Sequence, residues 1–411
     1  MKAEREFLRV HITPKGEASI KRGHPWVYAD ELTFDFDENE AANGALIDVF
    51  STKDRYLGTG FLSKNSKIRI RILSSNANEK FDEAFWQRRV LYALSMRKTV
   101  MKDDYSCCRL IFGEADGIPG LTVDRYNDIL STEVLSYGTE QVKDVIYKAL
   151  CDELLKDGVI VRGIYERNEA KIRELEGLPI EKGWYKADFV GIPDSPDAEI
   201  IENGIKYTVD VENGQKTGFF LDQKYNRREV ARLAEGMTVL DCFTHTGSFA
   251  LNAAMGGAKH VTAVDISETG ILMAKKNAEI NGLADRMDFV CEDVFELLPK
   301  LSEKSDYKYD FIILDPPAFT KSRKTTESAK RGYKEINYRA MKLLPRGGYL
   351  ATCSCSHFMP NELFRKMLNE AARDAGVSLR LIEERRASPD HPVAMAVPET
   401  DYLKFYLLQV V

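Results

Sequence analysis

The sequence predicts an α/β protein: a mostly parallel, doubly wound sheet in the C-terminal half, a small central α/β region and a small N-terminal β-barrel. Beyond residue 200, short apolar runs alternate with longer amphipathic stretches, which is the strand and helix order of such a sheet. Residues 1–75 instead contain short strand-like pieces and turns, without a helical period. The 411 residues are enough for two or three domains of about 100–200 residues each.

Composition excludes several classes of protein. With 44% apolar and 30% charged residues the chain is neither disordered nor fibrous. No apolar run reaches the roughly 18–20 residues of a membrane span, and the charged residues 1–6 contain no signal core. Seven cysteines at irregular spacings do not indicate a disulfide framework. We therefore expect a cytoplasmic protein without a membrane partner.

The predicted first domain, residues 1–75, contains one clear strand at 67–72. Its alternation places three isoleucines on one face and the cations Lys67, Arg69 and Arg71 on the other. A barrel that buries the isoleucines would display a cationic ridge suited to nucleic acid. An ordinary solvated strand face is the alternative. Because the net charge of the chain is −6, any nucleic-acid binding must depend on such local patches.

The predicted second domain, residues 76–196, begins with an amphipathic helix from about residue 81. A Gly- and Pro-rich loop at 113–125 then leads into a strand, and residues 191–197 are typical of a linker. The third domain, residues 197–411, contains the doubly wound sheet. Its predicted strands are residues 237–241, 260–265, 288–290, 311–315, 348–352 and 405–408, and its first helices are 247–254 and 268–280.

Three of these strands end in Asp241, Asp265 and Asp315, and a ligand of an open α/β sheet binds at the carboxyl ends. Asp241 precedes a loop in which Phe243 stands where a dinucleotide fingerprint has its first glycine, so NAD and FAD are disfavoured. Asp265 can accept both hydroxyls of a ribose, and Asp293 can meet an adenine amino group. An adenosine held without phosphates suggests S-adenosylmethionine. Structural capping is the alternative for any one aspartate.

Asp315 ends the fourth strand and opens a turn with two prolines, which fix the backbone and remove donors. The Asp315 carboxyl and the free carbonyls of the turn can address a planar base, and Phe319 could stack on it.

Cys355 closes the fifth strand and is aimed at the same edge of the sheet. Carbon 5 of a pyrimidine is a poor nucleophile, and a thiolate that adds to carbon 6 activates it. A buried structural role is the alternative for Cys355, and we assign that role to Cys353. A metal site is not expected, because the Cys-x-Cys-x-His spacing has no second pair of ligands.

Cationic segments flank the predicted site. Residues 320–346 contain nine Lys or Arg against two Glu, a net charge of +7, directly after the predicted base-binding turn. Phosphate contacts explain this excess, and solvated helix faces are the alternative. The residues selected as RNA contacts are Lys321, Arg323, Lys324 and Arg331, together with Arg69 and Arg71.

Taken together, the motifs resemble those of the RlmI-type 23S rRNA cytosine-5 methyltransferase family, essentially from end to end. The matching segments are GHPWV at 23–27, EADGIPGL at 114–121, NGQKTGFFLDQ at 213–223, DPPAF at 315–319, SCS at 354–356 and DHPV at 390–393.

This resemblance implies a PUA domain at the N-terminus, a central α/β domain and a Rossmann-like methyltransferase domain. It makes Cys355 the expected nucleophile and Asp315 its partner, and it strengthens the RNA interpretation of Arg69 and Arg71. Many related enzymes carry a second cysteine where Pro317 stands, so the base that removes the carbon-5 proton is unassigned, with His391 as a candidate. The residues expected to line the S-adenosylmethionine site are Thr217, Gly218, Phe219, Asp222, Gln223, Asp241, Phe243, Gly247, Asp265, Ile266, Asp293, Asp315 and Pro316.

The expected function is thus formation of 5-methylcytosine in 23S ribosomal RNA through a covalent cysteine adduct. Two alternatives stay open. A purine methyltransferase acting on guanine N7 would need no thiol, and a non-catalytic RNA-binding factor in ribosome assembly would retain S-adenosylmethionine as a structural ligand. The sequence identifies neither the modified nucleotide nor the form of the substrate, and it leaves homodimerisation open.

Overall fold

The computed structural model describes residues 7–34, 40–303, 309–320 and 325–411. The chain forms two compact units. The first unit comprises Met1–Ile200, Val209–Leu221 and Pro389–Thr400, and the second comprises Ile201–Thr208, Asp222–Ser388 and Asp401–Val411. The domain boundaries at 75 and 196 remain predictions.

In the first unit, the N-terminal segment forms a six-stranded mixed sheet of order β2-β6-β5-β4-β1-β3. The strands are β1 (Leu8–Ile12), β2 (Trp26–Tyr28), β3 (Leu32–Phe34), β4 (Leu46–Ser51), β5 (Tyr56–Leu62) and β6 (Ile68–Ser74). Val10, Val27, Ile47 and Ile70 are fully buried members of its core.

The segment also contains a helix that the sequence did not predict, α1 (Pro14–Lys21), between β1 and β2. Thr13 caps it by accepting a hydrogen bond from the backbone of Gly16, and Pro14 occupies its first turn. Both residues are helix-start signals. The interpretation of residues 1–75 as strands and turns without a helix is therefore wrong. The sequence shows no helical period here because eight residues are too few to display one.

Strand β6 also departs from the predicted cationic ridge. Ile70 is buried as expected, but Arg71 is only 6% exposed. Its guanidinium is 2.8 Å from the carboxylate of Glu176 and donates to the hydroxyl of Ser63. Glu176 ends the short helix α4 (Ile172–Glu176), which supplies the buried partner. The expectation that Arg71 lies on an exposed ridge is therefore wrong, and Arg69 is itself half-buried.

The same unit contains a five-stranded sheet of order β11-β10-β9-β8-β7. Its helix α2 begins after the Asp82 cap, close to the predicted start. The elements are α2 (Glu83–Met101), β7 (Cys107–Phe112), β8 (Leu121–Tyr126), β9 (Ile129–Val134), α3 (Tyr137–Lys156), β10 (Gly163–Asn168) and β11 (Glu181–Trp184). Strands β12 (Asp197–Glu202) and β13 (Ile205–Asp210) pair separately as a two-stranded sheet.

The second unit contains the predicted doubly wound sheet, in the order β16-β15-β14-β17-β18-β20-β19. Its strands are β14 (Thr238–Cys242), β15 (His260–Asp265), β16 (Met287–Cys291), β17 (Phe311–Leu314), β18 (Tyr349–Ser354), β19 (Leu379–Arg385) and β20 (Lys404–Val410). Its helices are α5 (Lys224–Leu233), α6 (Ser248–Met255), α7 (Glu268–Ile280), α8 (Val294–Glu303), α9 (Thr326–Leu343) and α10 (Asn361–Ala375).

The first five strands of this sheet are parallel, and β20 is antiparallel to both of its neighbours. Val239, Leu240, Ile312 and Ile313 are fully buried, as strands covered on both faces require. From β14 the chain proceeds to β15 on one side and later returns to β17 on the other. This reversal of strand order opens a crevice at the carboxyl ends. No helix in the described part of the chain is both long and apolar enough to cross a membrane.

Candidate active site

The loop after β14 has an unusual backbone. Phe243, His245 and Gly247 all have positive φ, at 65°, 53° and 84°. For Phe and His this conformation is strained, and such strain concentrates at functional sites. The backbone N–H of His245 donates to the carboxylate of Asp265 over 2.8 Å, which fixes the loop against the next strand. The half-buried Phe243 ring lies 6.5 Å from that of Phe295 on α8.

Asp241, near the end of β14, is completely buried. One carboxyl oxygen accepts hydrogen bonds from the Thr244 hydroxyl and the Ala250 backbone, at 2.5 and 2.9 Å. The other oxygen is buried without a partner among the described residues. Burial raises the pKa of Asp241 to about 8, and the charge of Asp315 adds to this increase. Asp241 is therefore largely protonated at neutral pH, with one polar atom available to a ligand.

Asp265 and Asp293 lie at the ends of the next two strands. Asp265 is half-buried, and its oxygens accept from the backbones of His245 and Ser267. Asp293 accepts from the backbone of Phe295 over 2.8 Å at the start of α8, so it caps that helix. The capping role that the sequence left as an alternative is thus observed for Asp293. Ile266 is 70% exposed beside Asp265.

Asp315, directly after β17, is held by a chain of hydrogen bonds. The Gln223 amide donates to it over 3.0 Å, and the Asn226 amide donates to Gln223 over 2.6 Å. Arg385 in turn donates to Asn226 over 3.1 Å. Sequence reasoning missed Asn226 and Arg385. Asn226 stands three residues after Gln223, the spacing of neighbours on a helix, but Arg385 lies about 160 residues further along the chain.

Asp222, the neighbour of Gln223, accepts a 2.6 Å hydrogen bond from the Tyr402 hydroxyl and is buried. Its backbone carbonyl accepts from the N–H of Ser388. The carboxylate is thereby fixed near the start of α5.

Cys355 is half-buried directly after β18, with its Sγ 4.0 Å from the backbone carbonyl of Pro316. The next hydroxyl, of Ser356, donates to the carbonyl of Thr320 over 2.8 Å. The structure therefore brings the turn after β17 and the turn that carries Cys355 together. Cys353 is fully buried and burial raises its pKa well above the usual range, which agrees with a structural role.

Three other residues expected at the cofactor site lie in the first unit. The Thr217 hydroxyl donates to the carboxylate of Asp124 over 2.5 Å, and the Phe219 N–H donates to the Tyr126 hydroxyl over 3.0 Å. Gly218, between them, has φ = 135°, a conformation that favours glycine. These contacts order the segment, and its role toward a cofactor stays a prediction.

His391 also lies in the first unit and is 3% exposed. Its Nδ1 is 3.0 Å from the Asp390 carboxylate, and its ring packs on that of Phe112. Asp390 is fixed by Arg97 and by the backbone of Arg109. The imidazole is therefore firmly oriented, although its use as a base stays a prediction.

Carboxylates of α10 compensate part of the positive charge of the segment after β17. Lys321, Arg323 and Lys324 lie outside the described residues. Arg331 is exposed on α9. Three other cations of α9 are neutralised in ion pairs: Lys330 with Glu370, Lys334 with Asp374 and Arg339 with Glu335. In the described ranges, no group of three or more His, Cys, Asp or Glu side chains is arranged to hold a metal ion.

Comparison with known families assigns both ends of the chain. Residues 189–406 match the S-adenosylmethionine-dependent methyltransferase family, and residues 10–75 match the PUA-like domain family. Ribosomal RNA large subunit methyltransferase I of Klebsiella pneumoniae is 38% identical over 406 residues, which is 98% of each chain. The protein of the same name from Aeromonas salmonicida is 38% identical over 397 residues, or 96% of this chain and 97% of the relative.

Two solved structures share the fold. One, described as a methyltransferase complexed with SAH, superposes with a TM-score of 0.83 at 23% identity, covering 98% of this chain and all of the other. The other, from Streptococcus mutans, superposes with a TM-score of 0.81 at the same identity and coverage.

The carboxyl edge of the second unit fits an adenosine-bearing methyl donor. It presents the half-buried carboxylate of Asp265 and the unpartnered buried oxygen of Asp241, and its first loop lacks the glycines that a pyrophosphate requires. Fold, site and family match together define an S-adenosylmethionine-dependent methyltransferase with a PUA-like domain, as predicted. Within that class, the chain belongs to the family of ribosomal RNA large subunit methyltransferase I.

Proposed function

We propose that this protein methylates carbon 5 of a cytosine in ribosomal RNA of the large subunit through a covalent adduct with Cys355. The observation that carries the proposal is the position of the Cys355 thiol, 4.0 Å from the Pro316 carbonyl in the turn that begins with Asp315. The names of the relatives support ribosomal RNA as the substrate.

Cys355 begins the reaction in this proposal. Its thiolate adds to carbon 6 of the ring, and the carbon 5–carbon 6 double bond supplies the electron pair that makes carbon 5 nucleophilic. When bound, S-adenosylmethionine would supply an electrophilic methyl group to carbon 5, and its sulfur would leave as a neutral thioether. After a base removes the proton from carbon 5, the sulfur–carbon bond breaks and the thiolate is regenerated. Cys355 is half-buried, which suits a nucleophile that must reach a base and yet be shielded from water.

Asp315 orients the base and offsets the charge that develops on the ring. The Gln223 amide holds one of its carboxyl oxygens, so the carboxyl group is oriented before a substrate arrives. Preorganised groups of this kind stabilise a transition state because little reorganisation is needed at the moment of reaction.

The proposed donor site uses the strand ends of the second unit together with Asp222 and Gln223, which precede α5 in the same unit. Asp265 would accept the ribose hydroxyls, and the free oxygen of Asp241 would meet a polar group. The remaining proposed lining residues of this unit are Asp222, Gln223, Phe243, Gly247, Ile266, Asp293, Asp315 and Pro316. The role of Thr217, Gly218 and Phe219 toward the donor stays a prediction of the family resemblance.

RNA binding and proton removal complete the proposal. Arg331, one of the exposed cations of α9, is proposed for phosphate contacts, with Lys321, Arg323, Lys324 and Arg69 as further contacts. Arg71 is withdrawn from this set because Glu176 engages it in the interior. The base that removes the carbon-5 proton is not assigned, and His391 stays the candidate that the family resemblance suggested.

The test compares Cys355→Ala with the matched control Cys353→Ala, using a labelled methyl donor and large-subunit RNA. We expect Cys355→Ala to abolish incorporation and Cys353→Ala to retain it, with the product identified as 5-methylcytosine by mass spectrometry of nucleosides. RNA containing 5-fluorocytidine should trap the wild-type protein covalently, because carbon 5 then has no proton to lose. Methylated guanine that survives Cys355→Ala would contradict the proposal, and so would the absence of any incorporation by the wild type.

A further inference from the structure

Lys404, the first residue of β20, is a buried cation beside the turn that carries Cys355. It is 6% exposed and pairs with Ser354 in the antiparallel register of β18 and β20. Its Nζ donates to the backbone carbonyl of Ser356 over 2.5 Å and to that of Tyr402 over 2.7 Å. Lys404 therefore lies against both chain neighbours of Cys355. It is opposite Ser354 in the strand pair, and its ammonium group donates to the carbonyl of Ser356.

Burying an ammonium group without a paired negative charge is costly, because the charge is removed from water. Burial lowers the pKa of Lys404 to about 8, while the charges of the Cys355 thiolate and of Asp401 act in the opposite direction. Two carbonyl oxygens and no carboxylate accept from its Nζ among the described hydrogen bonds. The charge is thus incompletely compensated by its structural partners.

We propose that Lys404 is a positioning residue of the same reaction: it fixes the turn that carries Cys355, and its ammonium stabilises the thiolate form of Cys355. The inference rests on the proposed function, which requires that thiolate. The S–H proton leaves to solvent and the sulfur keeps the electron pair, while Lys404 keeps its own proton at pH values below its pKa of about 8. A neighbouring ammonium raises the thiolate fraction at a given pH.

Among the described residues, four other titratable groups surround Lys404 and Cys355. Cys355 interacts electrostatically with Tyr333 on α9 and with Cys353 on β18. Asp315, after β17, interacts with the same two residues. Asp401 faces Lys404. Tyr333 and Cys353 both have pKa values raised by burial, so they are neutral at pH 7. The carboxyl groups of Asp315 and Asp401 cannot stabilise a thiolate by their charge, which leaves the Lys404 ammonium as the stabilising charge among these groups.

The test measures alkylation of Cys355 by iodoacetamide from pH 6 to 10 in the full chain, with peptides resolved by mass spectrometry. The variants are Lys404→Gln, which keeps an N–H donor without the charge, Lys404→Arg, which keeps the charge, and Lys404→Met. We expect Lys404→Gln to move the midpoint of the pH profile upward by about one unit and to slow alkylation at pH 7 about tenfold. Lys404→Arg should restore most of the wild-type profile.

Cys291 is exposed and serves as an internal reference whose profile should not change. A Lys404→Gln profile that coincides with the wild type would overturn the inference, because Lys404 would then act as a hydrogen-bond donor alone. If Lys404→Met fails to fold, Lys404→Gln still decides the question. The experiment contains neither RNA nor methyl donor, so its failure is distinguishable from failure of the proposed function, which the Cys355→Ala assay detects.

Discussion

At the scale of single residues, the chemistry of the candidate site is governed by how each carboxyl group is solvated. Asp241, Asp265 and Asp315 all stand at strand ends, but their surroundings differ. Asp241 is fully buried, Asp265 is held by two backbone N–H groups, and Asp315 is held by a side-chain amide. The same residue type can therefore serve as a neutral acid at one strand end and as a hydrogen-bond acceptor at another.

Asp241 makes stability depend on pH. Between its ordinary pKa near 3.8 and the folded value of about 8, the folded state binds a proton that the unfolded state does not. This contribution to the free energy of unfolding is therefore present at low pH and is lost as pH rises, by up to about 1.4 kcal/mol per pH unit. Asp241→Asn keeps the acceptor without the titration. Urea unfolding from pH 5 to 7.5 should show the wild type losing stability relative to this variant, and parallel profiles would contradict the assignment.

Gln223 should matter through Asp315. Gln223→Leu removes the donor that orients the carboxylate, and a hydrogen bond to a charged group contributes about 1.5–3 kcal/mol. We expect a fall in kcat of at least about tenfold. Tyr402→Phe, which releases Asp222 instead, is the comparison, and it should leave the orientation of Asp315 intact. Unchanged kcat in Gln223→Leu would show that the amide does not orient Asp315.

At the scale of elements, helices α9 and α10 illustrate how a charge run changes when it folds. The sequence count suggests a strongly basic segment, but Glu370 and Asp374 of α10 face Lys330 and Lys334 of α9. The pKa values of both carboxyl groups are lowered, chiefly by hydrogen bonds from these lysines. The cationic surface available to RNA is correspondingly smaller.

Arg331 and Lys334 provide a matched pair for testing this surface. Arg331→Ala should weaken binding to ribosomal RNA and reduce the slope of log K against log salt by about one, as expected when one phosphate contact is lost. Lys334→Ala should change the slope less, because Lys334 is engaged by Asp374. Filter binding at several salt concentrations measures both. Equal slopes for Arg331→Ala and the wild type would remove Arg331 from the interface.

At the scale of the whole molecule, ion pairs in the interior connect segments that the sequence separates. Arg71 of β6 and Glu176 of α4 are 105 residues apart and both nearly inaccessible to solvent. They lie in predicted domains 1–75 and 76–196, yet within one compact unit. We therefore expect the pair to couple the stability of the N-terminal sheet to that of the central segment.

Breaking this pair should be costly. Arg71→Met leaves the Glu176 carboxylate buried without its partner, at a cost of about 3–5 kcal/mol, whereas Arg69→Met, on the same strand, should cost far less. Urea denaturation followed by tryptophan fluorescence measures both. The double variant Arg71→Met, Glu176→Leu should recover much of the loss. A small effect of Arg71→Met alone would show that the two segments are not coupled through this contact.

The sequence by itself determined the fold class and the methyl-donor chemistry of this protein. Strand ends and the loop after β14 are local features, since apolar runs and the residues that follow them lie within one segment of chain. The predicted strand at 260–265 and helix at 268–280 agree with the structure at both ends.

Tertiary structure alone decided which polar groups are engaged. Arg71 faces Glu176, Asp315 is held through Gln223, Asn226 and Arg385, and Lys404 holds the turn of Cys355. Apart from Gln223 and Asn226, which stand three residues apart, the partner in these contacts comes from a distant segment, and no local pattern encodes which distant polar group will be brought within hydrogen-bond distance. Burial then sets the charge state, because desolvation depends on everything that packs around a group rather than on its neighbours in sequence.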